Sequence, residues 1–377
     1  MRPTLTLLLL SLGAVWGCVP ARSDVPPLDA GCPDASCCPA PSRALDLLLV
    51  VDNSDSMDGE QARLAAAVPL LLSGLATGDL DGDGVRDARP MDDVHFGVVT
   101  SDMGVGGFDI PTCSLPFGDD GELQTTSGAG FPHCALVYPA FLEYGAGGPT
   151  DLTPLSADFA CVLSAGVSGC GFEQPLEAAL KALTPATSAL RFSRGTTGHG
   201  DGVNAGFRRP GAALAVLVFT DEDDCSVRPD AEDFFDMSST AYPGEPLRRC
   251  VSAKEPQTPS VRYVDGLLAV EPNPARLVFA AIAGVPMDVG SLSYDALLLD
   301  PRMIETIDPG PMGNGRILPS CVGGFEGAFP ARRIVSTARD LAARGAQTTV
   351  QSICAETYIP AVTAILTAID RAASACE

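Results

Sequence analysis

Leu45-Asp46-Leu47-Leu48-Leu49-Val50-Val51-Asp52-Asn53-Ser54-Asp55-Ser56 decides the fold: an almost unbroken apolar run ends abruptly in carboxylates and hydroxyls. A half-exposed strand alternates apolar with polar residues, whereas a strand covered on both faces reads as a continuous run. Residues 45–51 therefore predict a buried parallel strand. Downstream, Leu64, Val68, Leu71, Leu72 and Leu75 recur at helical spacing, so residues 61–75 predict a helix after the acidic loop.

The alternation repeats along the chain. Strands are expected over 95–100, 212–220, 276–283 and 348–353, with helices over 175–183, 332–344 and 358–373. Strands alternating with helices imply an α/β fold: a doubly wound, mostly parallel sheet with helices on both faces. Ligands of such sheets bind outside the carboxyl ends of the strands. Stretches near 103–170, 225–275 and 285–330 are rich in Gly, Pro and Cys and read as insertions pinned by disulfides. Residues 43–377 are thus one elaborated domain.

Composition narrows the function. The chain of 377 residues carries 47 Asp and Glu against 24 Lys and Arg, a formal charge of −23. Acid spread over the whole length cannot neutralise phosphates, so nucleic acid is excluded as a partner and divalent cations are favoured. A hydrophobic fraction of 46% excludes a disordered chain.

Residues 1–17 read as a secretory signal, with Arg2 before an apolar run from Leu5 to Val15 that is too short to span a bilayer. The run ends in Val15-Trp16-Gly17-Cys18, which resembles the bacterial lipoprotein signal, with Trp16 atypical. That resemblance implies lipidation at Cys18 and anchoring to the cell envelope, at the outer membrane or cell surface; an ordinary signal peptide is the alternative. Residues 18–42, with six prolines and no apolar periodicity, read as a tether. The 13 cysteines less Cys18 leave an even number, consistent with up to six disulfides in an oxidising compartment. Zinc is the competing explanation, but no CxxC pair and no spaced His ligands occur. Proximity within each insertion suggests pairing Cys113 with Cys134, Cys161 with Cys170 and Cys225 with Cys250.

Two acidic constellations carry the chemistry. Asp52, Ser54 and Ser56 follow the first strand at i, i+2 and i+4, a hard oxygen set suited to Mg²⁺, Mn²⁺ or Ca²⁺. A helix N-cap would explain them equally well. The strand over 212–220 ends in Thr220-Asp221-Glu222-Asp223-Asp224 and brings further carboxylates to the same sheet edge. In this combination the chain resembles the von Willebrand factor type A domain, whose metal-ion-dependent adhesion site opens with Asp-x-Ser-x-Ser and is completed by the Asp of a Thr-Asp pair. The resemblance implies metal ligation by Asp52, Ser54, Ser56 and Asp221, and binding of a partner whose acidic group completes the coordination. The family's Thr ligand has no counterpart in Ser168-Gly169-Cys170-Gly171-Phe172-Glu173-Gln174, where Glu173 or water would substitute.

The second constellation, Asp79-Leu80-Asp81-Gly82-Asp83-Gly84-Val85-Arg86-Asp87, places acids at positions 1, 3, 5 and 9 of a calcium loop, with Gly84 at the sharp turn. Position 12 is Pro90, so Asp92 or Asp93 would have to curl back; a solvated turn is the alternative. The expected function is a membrane-anchored, extracytoplasmic binding module for a protein or an acidic glycan. The alternatives are a metal-dependent phosphoester hydrolase using Asp52, Asp221, Asp223 and Asp224, and a purely structural envelope lipoprotein. No nucleotide-binding, zinc-protease or serine-hydrolase motif is present.

Overall fold

The computed structural model describes residues 43–375 except 114, 129–132, 146–149, 243–245, 311–314 and 324–325. The expected signal over 1–17, the lipidation site Cys18, the tether over 18–42 and Cys376 lie outside the described residues.

The first half of the chain forms β1 (Ala44–Val51), α1 (Asp58–Thr77), β2 (Asp93–Thr100), β3 (Leu142–Gly145), α2 (Leu152–Leu163) and α3 (Pro175–Leu183). Then follow β4 (Ala213–Phe219), α4 (Pro246–Ser252), α5 (Val261–Val270), β5 (Leu277–Ala283) and α6 (Tyr294–Leu299). Two short hairpins come next, β6 (Ile307–Asp308) with β7 (Arg316–Ile317) and β8 (Cys321–Gly323) with β9 (Glu326–Ala328). The chain closes with α7 (Arg332–Ala343), β10 (Gln347–Ser352) and α8 (Ile359–Ala373).

The central sheet has six strands in the order β10-β5-β4-β1-β2-β3, all parallel except the edge strand β3. Side chains of β1 alternate between two cores. Leu45, Leu47, Leu49 and Val51 pack on the face covered by α1, α2 and α8, while Leu48 and Val50 face α3, α5 and α7. This two-sided burial is the physical reason the strand sequence is apolar throughout. The chain leaves β1 toward β2 on one side, and leaves β4 toward β5 on the other. The winding therefore reverses between β1 and β4, and the carboxyl ends of these two strands are the place where sheets of this kind bind ligands.

The amino end of β1 holds Asp46, which is fully buried and accepts from Arg208 Nη1 at 3.0 Å and Arg209 Nε at 2.8 Å. A buried carboxylate is tolerated there because two guanidinium groups and a backbone N–H surround it.

The Cys-rich stretches contain more regular structure than their composition suggests. Leu155, Phe159 and Val162 of α2 join one core, and Tyr263, Val264 and Leu267 of α5 join the other. Disulfides join Cys113 to Cys170, Cys134 to Cys161, Cys225 to Cys250 and Cys321 to Cys354. The expected Cys225–Cys250 bridge forms. The expected Cys113–Cys134 and Cys161–Cys170 pairs do not, because α2 carries Cys161 onto the β3 side, where Cys134 lies. Cys170 is left to a separate small core of Val105, Ile110, Phe172, Phe234 and Phe235.

Candidate metal centre

The backbone at the switch point places the site. The N–H of Asp52 donates to the carbonyl of Phe219 at 2.9 Å, tying the β1 exit to the β4 exit, and Ser101 N donates to Val51 O at 3.0 Å, tying in β2. Gln61 of α1 donates to the carbonyls of Asp52 and Gly166, both at 2.8 Å. A third loop enters where Gly169 N donates to Asn53 O at 2.8 Å; a Cβ at position 169 would collide with the Asn53 side chain.

Asp52, at 0% exposure, is held from several sides. Its Oδ2 accepts from Thr220 Oγ1 at 2.5 Å, and its Oδ1 accepts from Ser54 N at 2.9 Å and from Ser101 Oγ at 3.3 Å. The Ser54 and Ser56 hydroxyls lie 3.3 Å apart, and Ser56 also hydrogen-bonds Asp221. Glu173 is buried, and its carboxyl hydrogen-bonds Glu222. The structure therefore brings Asp52, Ser54, Ser56, Asp221 and Glu173 to one edge of the sheet.

The electrostatics of this edge are unbalanced. Burial pushes the carboxyl of Asp52 upward. Burial and then the charges of Asp52 and Glu222 push Asp221 well above the usual carboxylate range. Burial followed by Glu222 and Asp52 does the same to Glu173, and burial foremost raises Glu222 to about 7. Glu173 Oε1 and Asp221 Oδ1 are both buried without a hydrogen-bond partner. Buried acceptors left without donors are costly, on the order of 1–3 kcal/mol each, and a cation is the natural complement of such oxygens. The donor set therefore fits a hard divalent ion. Among the described residues no three carboxylates of this edge converge within 4.8 Å, so coordination here would draw on the two serine hydroxyls as well.

Ser101, Asp102 and Asp119 escaped the sequence reading, whereas Thr220 and Glu222 were quoted in it without a role at the site. Asp119 Oδ2 accepts from Thr100 Oγ1 at 2.6 Å and from Asn53 Nδ2 at 3.4 Å. Asp102 accepts from Gly104 N at 2.8 Å, and burial followed by the charge of Asp119 raises it to about 6. Thr100-Ser101-Asp102 at the end of β2 repeats the strand-then-oxygen pattern of the β1 exit, and was the available signal.

Two of the four carboxylates of the hydrolase alternative are engaged elsewhere. Asp223 accepts from the N–H groups of Arg333 and Ile334 at the start of α7, at 2.9 and 3.4 Å. Asp224 pairs with the Arg333 guanidinium at 3.0 Å and caps α3 by accepting from Leu176 N at 2.9 Å. Both complete helix ends, where a carboxylate meets unpaired N–H groups and a favourable dipole.

The Asp-rich loop is built differently. Asp79, Asp81 and Asp87 bring one oxygen each within 4.8 Å of one another, whereas Asp83 stands outside that group and accepts from Val85 N at 2.7 Å. Gly84 has a φ of 87°, as the expected turn requires. Neither proposed substitute for position 12 curls back: Asp92 accepts from Arg43 N at 3.2 Å and Asp93 pairs with Arg209 at 2.7 Å. A second close group, His133 with Cys134 and Cys161, holds no thiolate because its two cysteines are bonded to each other. A scan against protein-family models finds no match for the sequence, and a search of curated proteins finds none either.

Proposed function

We propose that this chain is an extracytoplasmic binding module of the von Willebrand factor type A kind, lipid-anchored through Cys18, that presents a divalent cation at the carboxyl edge of its sheet. The orphaned oxygens of Asp221 and Glu173 beside the fully buried Asp52 carry this reading. It draws further support from the strand reversal between β1 and β4, and from the four disulfides among the described residues, which suit an oxidising compartment.

Asp52 and Asp221 would supply the charged ligands, and Ser54 and Ser56 the neutral ones. When bound, the cation would offer an open, Lewis-acidic position to a carboxylate of the partner. Thr220 and Ser54 N hold the Asp52 carboxylate in one orientation. Glu173, beside Glu222, would supply a further oxygen to the ion, or leave that position to water. In the same reading the group Asp79, Asp81 and Asp87 takes Ca²⁺ in a structural role.

Calorimetric titration of the EDTA-stripped chain with Mg²⁺ and Ca²⁺ tests both sites. Asp52→Ala removes one binding event and Asp81→Ala a different one. A wild-type chain that takes up no ion at millimolar concentration refutes the reading and leaves a structural envelope protein.

A further inference from the structure

Among the described residues, two that are not glycine adopt left-handed backbone, Asp120 and Arg194, each with a φ of 55°. Such conformations cost on the order of 1–3 kcal/mol and persist only where surrounding contacts enforce them. Here the contacts are explicit. The fully buried Lys181 amine holds Asp120 Oδ1 at 2.5 Å, and His199 Nε2 lies 3.2 Å from Asp120 Oδ2. Glu232 Oε1 accepts from Ser193 Oγ at 2.6 Å and from Arg194 N at 2.8 Å.

Both strained residues bracket one patch. The Arg194 guanidinium carbon lies 3.9 Å from the centroid of the Phe117 ring, and the guanidinium forms no ion pair among the described residues. Phe117 is 47% exposed and its neighbour Leu115 53%, large apolar surface for a loop stapled by Cys113–Cys170. Two residues beyond Phe117, Asp119 accepts from Asn53 Nδ2 at 3.4 Å, so the loop that carries the patch also touches the loop of the candidate centre. Asp120 is already paired with Lys181, Asp119 is engaged by Thr100 and Asn53, and the nearby Glu232 carboxylate is taken up by Ser193 Oγ and the Arg194 backbone N–H, so the Arg194 guanidinium keeps its outer side open to a further carboxylate.

From this we infer that the Leu115–Phe117–Arg194 rim is a preorganised docking surface for a protein segment in which a carboxylate neighbours an apolar side chain. The carboxylate pairs with Arg194 and the apolar group packs on Leu115 and Phe117. A protein segment fits better than a glycan, because the exposed aliphatic side chain of Leu115 beside Phe117 calls for an apolar side chain, which a polyhydroxylated sugar does not offer. The inference deepens the proposed function, since the same partner would also reach the cation.

The test is selection of a displayed random-peptide library on the full chain in Mg²⁺, followed by anisotropy measurements of the best peptides and a Mg²⁺ titration of each variant. Arg194→Gly removes the guanidinium while suiting the left-handed backbone, and Phe117→Ser alters an exposed ring, so neither variant should fail to fold. The expected pool places Asp or Glu beside aromatic or large aliphatic residues. Each variant should weaken the best peptides about tenfold with the Mg²⁺ isotherm unchanged. Peptides that bind both variants as well as wild type, a pool without carboxylates, or no enrichment at all overturns the inference. So does binding of polygalacturonate alone, which would assign the rim to an acidic glycan. Loss of peptide binding in Arg194→Gly but not in EDTA upholds the rim and sinks the cation reading. The opposite pattern upholds the cation and sinks the rim.

Discussion

The chain has two acidic loops that look equally suited to a cation on paper, and they differ in what their carboxylates lack. At the sheet edge Asp52 is fully buried, Asp221 and Glu173 each keep an orphaned oxygen, and all three are driven upward by burial. In the Asp79–Asp87 loop the acids are exposed or half-exposed, and the loop's own backbone satisfies them. Gly82 N and Gly84 N donate to Asp79 at 2.8 and 2.9 Å, and Leu80 N donates to Asp87 at 2.9 Å. The exposed loop's own N–H groups already meet its carboxylates, so an ion there would add to an existing framework, whereas the buried edge carries an uncompensated desolvation cost. Cation demand follows unpaired burial rather than the number of aspartates.

The largest expected effect separates the two loops directly. Asp52→Asn preserves shape and should abolish Mg²⁺ uptake at the edge. With it goes the stabilisation by bound ion, about 2.7 kcal/mol at free Mg²⁺ about a hundred times Kd. Asp81→Asn should leave that stabilisation intact, as thermal melts with and without Mg²⁺ would show. Equal losses in the two variants would erase the distinction drawn above.

The next effect concerns how the edge is held. Cys170 lies three residues before Glu173, and Cys225 N donates to the Glu173 carbonyl at 2.8 Å, so two disulfides meet the third loop. Cys134–Cys161 sits on α2, away from it. Replacing Cys113 and Cys170 with Ser should weaken Mg²⁺ binding about tenfold, the size of effect expected when supporting contacts around a ligand are lost. The Cys134/Cys161 double variant should bind as wild type. Isothermal titration of both checks this.

How much of this was legible depends on the range of the information. β1, α3 and β4 were readable because a run such as Leu47-Leu48-Leu49-Val50-Val51 fits few environments, and Pro175 marks a helix start. Asp52 and Asp221 were readable as residues that end such strands. The disulfide partners were not, because pairing depends on where α2 carries Cys161, which no local pattern records. The partners of Asp223 and Asp224 were hidden for the same reason: Arg333 is 110 and 109 residues distant from them, and the amino end of α3 is 48 residues from Asp224. The helix α5 was hidden inside a Cys- and Pro-rich stretch, although Tyr263, Val264 and Leu267 have helical spacing.

A pH experiment sharpens the comparison at one group. Burial, aided by the charge of Asp119, raises the Asp102 carboxyl from its ordinary value of 3.8 to about 6. An acid raised in the folded state contributes its stability fully below the unfolded value and loses it as pH climbs through the folded one. EDTA-treated chain should therefore lose stability from Asp102 between pH 4 and about 6, and Asp102→Asn should flatten that part of the profile. Urea midpoints across the window would show it, and a profile unchanged by the substitution would mean that Asp102 stays ionised throughout.

The smallest effects belong to the exposed loop, and they test whether it binds anything. Asp79, Asp81 and Asp87 converge, but no carboxylate occupies the twelfth position, so Ca²⁺ affinity should fall in the weak range of about 10⁻⁴ to 10⁻³ M seen in extracellular modules. Asp81→Asn should remove that binding while shifting stability without ion by less than about 0.5 kcal/mol, because the residue is exposed. Gly84→Ala should cost about 1 kcal/mol through backbone strain at a φ of 87°, with or without Ca²⁺. If Asp81→Asn instead stabilises the ion-free loop and wild type shows no Ca²⁺ isotherm, then exposed carboxylates satisfied by their own backbone do not recruit an ion even when three of them converge. Burial at the sheet edge would then be the whole basis for cation binding in this chain.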